Sequence, residues 1–205
     1  MKLGAIFECQ REGPDILVCR QFLSRLNSKV ILDPVPLTNK RLLFQNCGLA
    51  AKTLLKTNEH VVVLWDLIPR WKEEVKTYTL EEEIAKITAS LSAENVDLRR
   101  ISLVCMIQEL EAWLLADHHA LGAVLAKLKA PHPLGTLKKY KAPDSENRPK
   151  EILEKIFKSE LGYIYRDHTH AFPIARAVGD DWRKVKRSPS FCEFARVAAG
   201  KVFDK

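Results

Sequence analysis

The segment that decides the fold is His60-Val61-Val62-Val63-Leu64-Trp65-Asp66. Its five central residues are apolar without interruption, and three of them are β-branched. This pattern is typical of a strand that helices cover on both faces of a sheet. The strand is predicted to stop at Asp66, and Pro69 ends any regular structure beyond it.

Shorter apolar runs on either side predict three more strands, at residues 3–7, 29–32 and 101–107. Apolar residues at helical spacing lie between and after these runs. They predict helices over residues 15–26, 42–55, 80–91 and 109 to about 128. Strands that alternate with helices indicate an α/β fold with a mostly parallel sheet and helices on both of its faces.

The pattern changes after Pro131. A stretch with several prolines and lysines is followed by short predicted helices at residues 150–158, 171–178 and 189–203. We therefore expect an α/β core over residues 1–130. A basic, mainly helical extension over residues 131–205 is expected to pack on that core rather than form an independent domain.

Composition narrows the classes of protein that the chain can belong to. Its 205 residues are 46% hydrophobic and 29% charged, which is typical of a globular protein. No apolar run approaches the roughly 20 residues that cross a membrane, and the N-terminal apolar run reaches Glu8 too early for a signal peptide. A cytoplasmic protein without a membrane partner is expected. The five cysteines, odd in number and without a CxxC pair, predict reduced thiols rather than disulfides or a zinc site.

Positive charge is concentrated in the C-terminal part. Residues 1–117 contain 15 Lys and Arg against 16 Asp and Glu, whereas residues 118–205 contain 18 against 10. This asymmetry predicts a polyanionic partner, with nucleic acid the leading candidate. The predicted contacts are Lys138, Lys139, Lys141, Arg183, Lys184, Lys186 and Arg187. Tyr140 and Trp182 lie beside them and could stack on unpaired bases; the alternative is an ordinary solvated lysine-rich surface.

Acidic residues follow three of the predicted strands. Glu8 follows the first, Asp66 the third, and Glu109 and Glu111 the fourth. The carboxyl ends of parallel strands meet at one edge of a sheet, where clustered carboxylates repel one another unless a cation neutralises them. Oxygen ligands without Cys or His favour Mg²⁺ or Mn²⁺. The alternative is that each acid merely stabilises the start of a helix.

Two details of this prediction depend on local structure. In a helix, Glu109 and Glu111 point about 200° apart, so we expect only Glu111 to reach the shared edge. His168 and His170, next to Asp167, are weaker candidates for metal ligands, and His118 and His119 are expected on an exposed helix face.

Several blocks of sequence together carry a resemblance to a known family. Most specific is the segment from Gln108 to Asp117, Gln-Glu-Leu-Glu-Ala-Trp-Leu-Leu-Ala-Asp. The other blocks, in chain order, are Phe7-Glu8-Cys9, Val63 to Leu67 with Pro69 and Trp71, Pro149-Lys150, Tyr165-Arg166, and Ser188-Pro189-Ser190-Phe191. Together they cover nearly the whole chain and resemble the bacterial domain-of-unknown-function family 4276, which is usually grouped with Toprim-like proteins.

The resemblance implies a Toprim-like sheet and a function in nucleic-acid cleavage. Toprim nucleases bind Mg²⁺ through acids and cleave phosphodiesters, and related small proteins work beside AAA-type ATPases in phage defence. Carried over by motif, Glu8 would be a general acid/base or a metal ligand, and Asp66 and Glu111 would be metal ligands. Toprim domains normally have Asp-x-Asp here, but Leu67 and Ile68 follow Asp66. Either another acid completes the site or the site is degenerate; the candidates are Glu12, Asp15, Glu109 and Asp117.

Three hypotheses follow from these observations. The first is a Mg²⁺-dependent nuclease with Glu8, Asp66 and Glu111 as catalytic residues and with Glu109 and Asp117 as further metal ligands. The second is a non-catalytic binding or partner module with a degenerate metal site. The third, a hydrolase of a small phosphorylated metabolite, is less favoured because the excess of positive charge exceeds what one small anion needs. DNA or RNA specificity, the oligomeric state and the need for a partner are not determined by the sequence.

Overall fold

The structure is a computed structural model that describes residues 2–68, 78–128 and 137–203. The predicted features at Pro69, Trp71 and Pro131 lie outside these ranges. So does the predicted boundary between residues 130 and 131, which therefore stays a prediction.

One parallel sheet forms the centre of the fold. Its strands are β1 (Lys2–Phe7), β2 (Ile31–Pro36), β3 (His60–Asp66) and β4 (Ile101–Met106). They lie in the order β2-β1-β3-β4, and all three neighbouring pairs are parallel. The predicted α/β class with a parallel sheet is confirmed.

Eight helices surround this sheet in the described part of the chain. They are α1 (Pro14–Leu26), α2 (Lys40–Leu54), α3 (Leu80–Ala93), α4 (Glu111–Leu115), α5 (His118–Lys127), α6 (Pro149–Leu161), α7 (Asp167–Ala177) and α8 (Pro189–Ala199). Short 3₁₀ turns lie at Leu98–Arg100, Pro143–Ser145 and Val185–Arg187. Within residues 2–68, 78–128 and 137–203, no helix is long and apolar enough to cross a membrane.

The two faces of the sheet bury separate cores, because successive side chains of a strand point to opposite faces. Val62 and Leu64 of β3 pack with α1 and with the C-terminal helices. Val61, Val63 and Trp65 pack with α2 and α3 on the other face. The α6, α7 and α8 helices thus share a core with the sheet. All five cysteines are free thiols, as predicted.

Strand β2 is longer than predicted and includes two prolines. The sequence indicated an end near Asp33, but Pro34 and Pro36 both belong to the strand. Proline is tolerated there because β2 is an edge strand. The Leu37 amide donates to the Phe7 carbonyl of β1 at 2.8 Å, so in the alternating strand pattern the two proline nitrogens face away from β1.

Two further differences concern helices. The predicted long helix from residue 109 is wrong: it is two helices, α4 and α5, because Asp117 interrupts the first and caps the second. Gly48, which weakened the prediction of α2, lies in the middle of that helix where α3 crosses it. A Cβ atom at Gly48 would lie 2.0 Å from the Ser90 carbonyl oxygen. Glycine is required there because two backbones approach closely.

Candidate functional site

The strand order places a crevice at one edge of the sheet. The connection after β1 leads to β2 on one side, whereas β3 lies on the other side of β1. In parallel α/β sheets, such a reversal opens a ligand-binding crevice at the carboxyl ends of the strands. Glu8 follows β1, Asp66 ends β3, and Asp15 lies in the first turn of α1. These three acids line a narrow opening, here named the acidic recess, together with Phe7, Leu64, Trp65 and Met106.

The carboxyl group of Asp66 has a strongly raised pKa. Its Oδ1 atom is buried and accepts no hydrogen bond from the described residues. Burial raises the pKa of Asp66 well above its ordinary value, and the charges of nearby acids raise it further. In order of effect, these acids are Asp15, Glu8, Glu111 and Glu109. A buried carboxylate oxygen without a donor is the kind of group that a bound cation would satisfy.

Asp15 is one of the four acids that the sequence offered to complete the site. Burial and the charge of Asp167 raise its pKa to about 6. Asp15 also accepts a hydrogen bond from the Cys9 thiol, whose own pKa is raised mainly by burial. Asp15 lines the recess together with Asp66, and among the neighbouring acids its charge raises the pKa of Asp66 most. Glu12, another of the four, is exposed and has a positive φ of 61°.

The charges of Glu109 and Glu111 both affect Asp66 in the recess. Glu109 lies just before α4 and Glu111 is its first residue, with Leu110 between them in the αR conformation. Neither glutamate is among the residues that line the recess. Both side chains are buried, and both raise the pKa of Asp66. Burial, followed by the charges of Glu109 and Asp15, raises the pKa of Glu111 to about 8. We call Glu8, Asp15, Asp66, Glu109 and Glu111 the acidic cluster.

A lysine from the C-terminal part partly compensates this negative charge. Lys150 lies near the start of α6, and its Nζ atom is 2.6 Å from Asp167 Oδ2. Its backbone amide donates to Glu109 Oε2 at 2.9 Å. Burial opposes its charge, but the hydrogen bond to Asp167 and the charge of Glu111 raise the pKa of Lys150 overall. The Tyr165 hydroxyl completes this side by donating to Glu111 Oε1 at 3.3 Å.

The sequence predicted no role in the site for Cys9, Lys150, Tyr165 or Asp167. Lys150 and Tyr165 did lie in blocks that carried the family resemblance, which was the available signal. Asp167 was noted only as the neighbour of two histidines, and no spacing in the sequence connects Cys9 with Asp15.

The family model described as "Domain of unknown function (DUF4276)" matches residues 17–196. The chain belongs to the DUF4276 family. Comparisons with curated proteins and with solved structures gave no significant match. The matched range contains Asp66, Glu109, Glu111 and Lys150, whereas Glu8 and Asp15 precede it.

In this DUF4276 protein, Asp117 has other partners. Its Oδ1 atom accepts the backbone amides of His119 and Ala120 at 3.0 and 3.3 Å and so caps α5. The same atom is 3.0 Å from Lys184 Nζ. These contacts explain Asp117 as a helix cap, which was the alternative considered for each acid.

Of the histidines considered above, His170 packs inside the protein and two others are exposed. His170 is buried, and its Nδ1 atom accepts the Arg166 amide at 2.8 Å. Its ring lies 4.7 Å from that of Phe157 and stacks on Tyr163. His168 and His119 are exposed.

Several of the predicted nucleic-acid contacts pair with other groups of the chain, although Arg183 and Lys138 stay exposed while paired. Arg183 pairs with Asp181 at 2.7 Å, Lys184 with Asp117, and Lys138 with Glu146 at 3.5 Å. Arg187 donates to the Ala116 carbonyl, and Lys186 is half-buried. Lys139 and Lys141 are exposed.

The two aromatic residues beside these cations pack inward. Tyr140 is buried, and the Trp182 ring stacks on Phe191 with centroids 5.6 Å apart. Tyr140 belongs to the hydrophobic core and the half-buried Trp182 packs against that core, so their packing does not favour the expected stacking on bases.

The donor set of the acidic cluster suits a hard divalent cation. Every candidate ligand is a carboxylate, and the buried Asp66 Oδ1 accepts no hydrogen bond from the part of the chain that the structure describes. Among residues 2–68, 78–128 and 137–203, no three His, Cys, Asp or Glu side chains already stand close enough to hold a metal ion. Binding would therefore require the mutually repelling carboxylates to draw together around the cation.

Proposed function

We propose that this DUF4276 protein is a Toprim-like, Mg²⁺- or Mn²⁺-dependent nuclease. The observation that carries the proposal concerns Asp66, at the strand ends where the sheet order reverses. Its buried Oδ1 has no hydrogen-bond donor among the described residues, and the surrounding acids raise its pKa. Such an arrangement is unfavourable for folding alone and becomes favourable once a divalent cation is bound.

The residues of the acidic cluster divide into ligands and supporting groups. Glu8, Asp66 and Glu111 would hold the cation, with Asp15 in place of the absent second aspartate. Glu109 is bonded to the Lys150 amide and is expected to orient that segment. When bound, Mg²⁺ polarises a phosphoryl oxygen and lowers the pKa of water. The Lys150 ammonium lies beside the cluster, where it can bind a phosphate oxygen of the substrate.

A cleavage assay tests this proposal directly. Supercoiled DNA and single-stranded RNA are incubated with purified protein and Mg²⁺, Mn²⁺ or EDTA. Cleavage is expected with a divalent ion and is expected to fall by at least about 100-fold in Asp66→Asn, because one charged ligand is lost. Glu59→Gln, which alters an exposed acid, is the matched control. Intact DNA and RNA under all conditions would contradict the proposal.

The same proposal includes a partner. The family resemblance supports a function in phage defence together with an AAA-type ATPase. Adding such an ATPase from a neighbouring gene to the cleavage assay tests this part: a stimulated rate supports it, and an unchanged rate with no co-purification of the two proteins contradicts it.

A second candidate is a non-catalytic binding or partner module. Two observations favour it: the described acids are not yet gathered around one point, and several predicted nucleic-acid contacts are engaged within the chain. Calorimetric titration with Mg²⁺ and Mn²⁺ distinguishes the two candidates. Binding that is lost in Asp66→Asn favours the nuclease, whereas no binding near neutral pH favours the module.

A further inference from the structure

A fully buried lysine lies directly behind Asp66. Lys40 is the first residue of α2, and its side chain has no solvent exposure. Its Nζ atom donates to the Asp66 carbonyl at 2.7 Å and to the Leu67 carbonyl at 3.3 Å. It also lies 3.0 Å from Oε1 of Glu83, which is 1% exposed.

Stability alone does not account for this arrangement. Removing two charges from water is costly, and an uncharged pair of similar volume is often at least as stable. A positive charge at the N-terminus of a helix is also unfavourable, because the helix dipole is positive there. Lys40 bears both disadvantages. The Glu83 carboxylate bears only the cost of burial, because it lies near the start of α3, where the helix dipole favours negative charge.

The contacts of the pair converge on the end of β3. Lys40 binds the main chain of Asp66 and of the residue after it. Glu83 accepts the indole Nε1 of Trp65, the residue before Asp66, at 2.8 Å. Lys40 thus holds the backbone at Asp66 directly, and Glu83 holds both Lys40 and the side chain of the preceding Trp65, while the Asp66 side chain lines the acidic recess.

We infer that Lys40 and Glu83 are positioning residues that hold Asp66 in place for a divalent cation. The inference rests on the proposed function, since it concerns the same site. The pair touches neither cation nor substrate and acts through the backbone of β3. This accounts for a buried charge pair in a position where apolar residues would fill the space.

The test is a double substitution that removes both charges. Lys40→Met/Glu83→Gln keeps the volume and leaves Trp65 an acceptor, so the protein is expected to fold with a similar unfolding midpoint. Its affinity for Mg²⁺ or Mn²⁺, measured by calorimetry, is expected to fall at least tenfold. The control is Lys52→Met/Glu94→Gln, which removes an exposed ion pair between the same two helices and should leave the affinity unchanged.

The outcomes separate this inference from the proposed function. If the wild-type protein and the folded double variant bind the ion equally well, the inference is overturned and the proposed function stands. If the wild-type protein binds neither ion, both are overturned. Should the double variant not fold, the isosteric Glu83→Gln variant is measured instead. A several-fold loss of affinity then supports the inference, and wild-type affinity overturns it.

Discussion

The sequence predicts some of the groups around Asp66 and not others. The place of Asp66 at the end of a strand follows from the apolar run before it, and Glu8 is predictable in the same way. The place of Asp15 in the recess is harder to predict, because it depends on how the start of α1 packs against the end of β3. Lys150 enters the site from a distant segment that the C-terminal helices carry onto the sheet. Tertiary packing, which no local pattern encodes, brings these groups together.

The stability of the metal-free protein should decrease as pH rises. The pKa of Glu111 is raised from its ordinary value near 4.5 to about 8, and that of Asp15 to about 6. Between the ordinary and the raised values, the folded protein retains protons that the unfolded chain has released, so the free energy of unfolding falls. We expect a loss of a few kcal/mol between about pH 4.5 and 8. Urea unfolding in EDTA across this range measures it.

Excess Mg²⁺ should reduce or reverse this trend, because a divalent cation binds the deprotonated carboxylates. Glu111→Gln should flatten the pH dependence in EDTA, whereas Glu59→Gln, at an exposed position, should not. A metal-free protein that becomes more stable from pH 5 to 8 would show that the acidic cluster is not under electrostatic strain.

At the scale of elements, most helices and strands were predictable, and the exceptions have local causes. Helix α3 was predicted from its spacing and its acidic first turn, and it begins with a capping box between Thr79 and Glu82. The break between α4 and α5 was missed because apolar residues continue through it at helical spacing. The capping contacts of Asp117 cause that break. Sequence pattern alone does not distinguish a capping aspartate from any other aspartate within a helical stretch.

Substitutions at Asp117 distinguish a helix cap from a metal ligand. Asn can accept the same backbone amides, so Asp117→Asn should change stability little and leave Mg²⁺ affinity intact. Asp117→Ala should lower the free energy of unfolding by about 1–2 kcal/mol, because two amides and Lys184 lose their acceptor. Unfolding curves and metal titrations of the two variants provide the measurements. A loss of Mg²⁺ affinity in Asp117→Asn would restore the metal-ligand prediction.

At the scale of the whole molecule, the excess charge of the C-terminal part is less available than the sequence suggested. Composition counts every cation equally, but folding engages Lys184 and Arg187 with neighbouring groups, and Arg183, although its side chain is 81% exposed, pairs with Asp181. Lys139 and Lys141 are exposed and adjoin the buried Tyr140. These two lysines are therefore the best candidates for phosphate contacts.

Nucleic-acid binding should depend on these two lysines in a salt-dependent way. Each phosphate contact contributes about 0.9 to the slope of log K against log salt concentration. Lys139→Ala/Lys141→Ala should reduce the slope by about 2 if both contact phosphate. Arg183→Ala should change it less, because Asp181 already binds that guanidinium. Fluorescence anisotropy with labelled DNA and RNA at several salt concentrations measures the slopes; equal slopes for all variants would contradict the assignment.

The two prolines of β2 have a consequence for association. At Pro34 and Pro36, two of the six residues along the outer edge of the sheet, there is no N–H group to offer. An extended peptide, or the same strand of another copy, would meet an incomplete row of donors and could not continue the hydrogen-bonded ladder. Strand addition is thereby blocked at this border. Any protein that joins this one is expected to use side-chain surfaces rather than lengthen the sheet from β2.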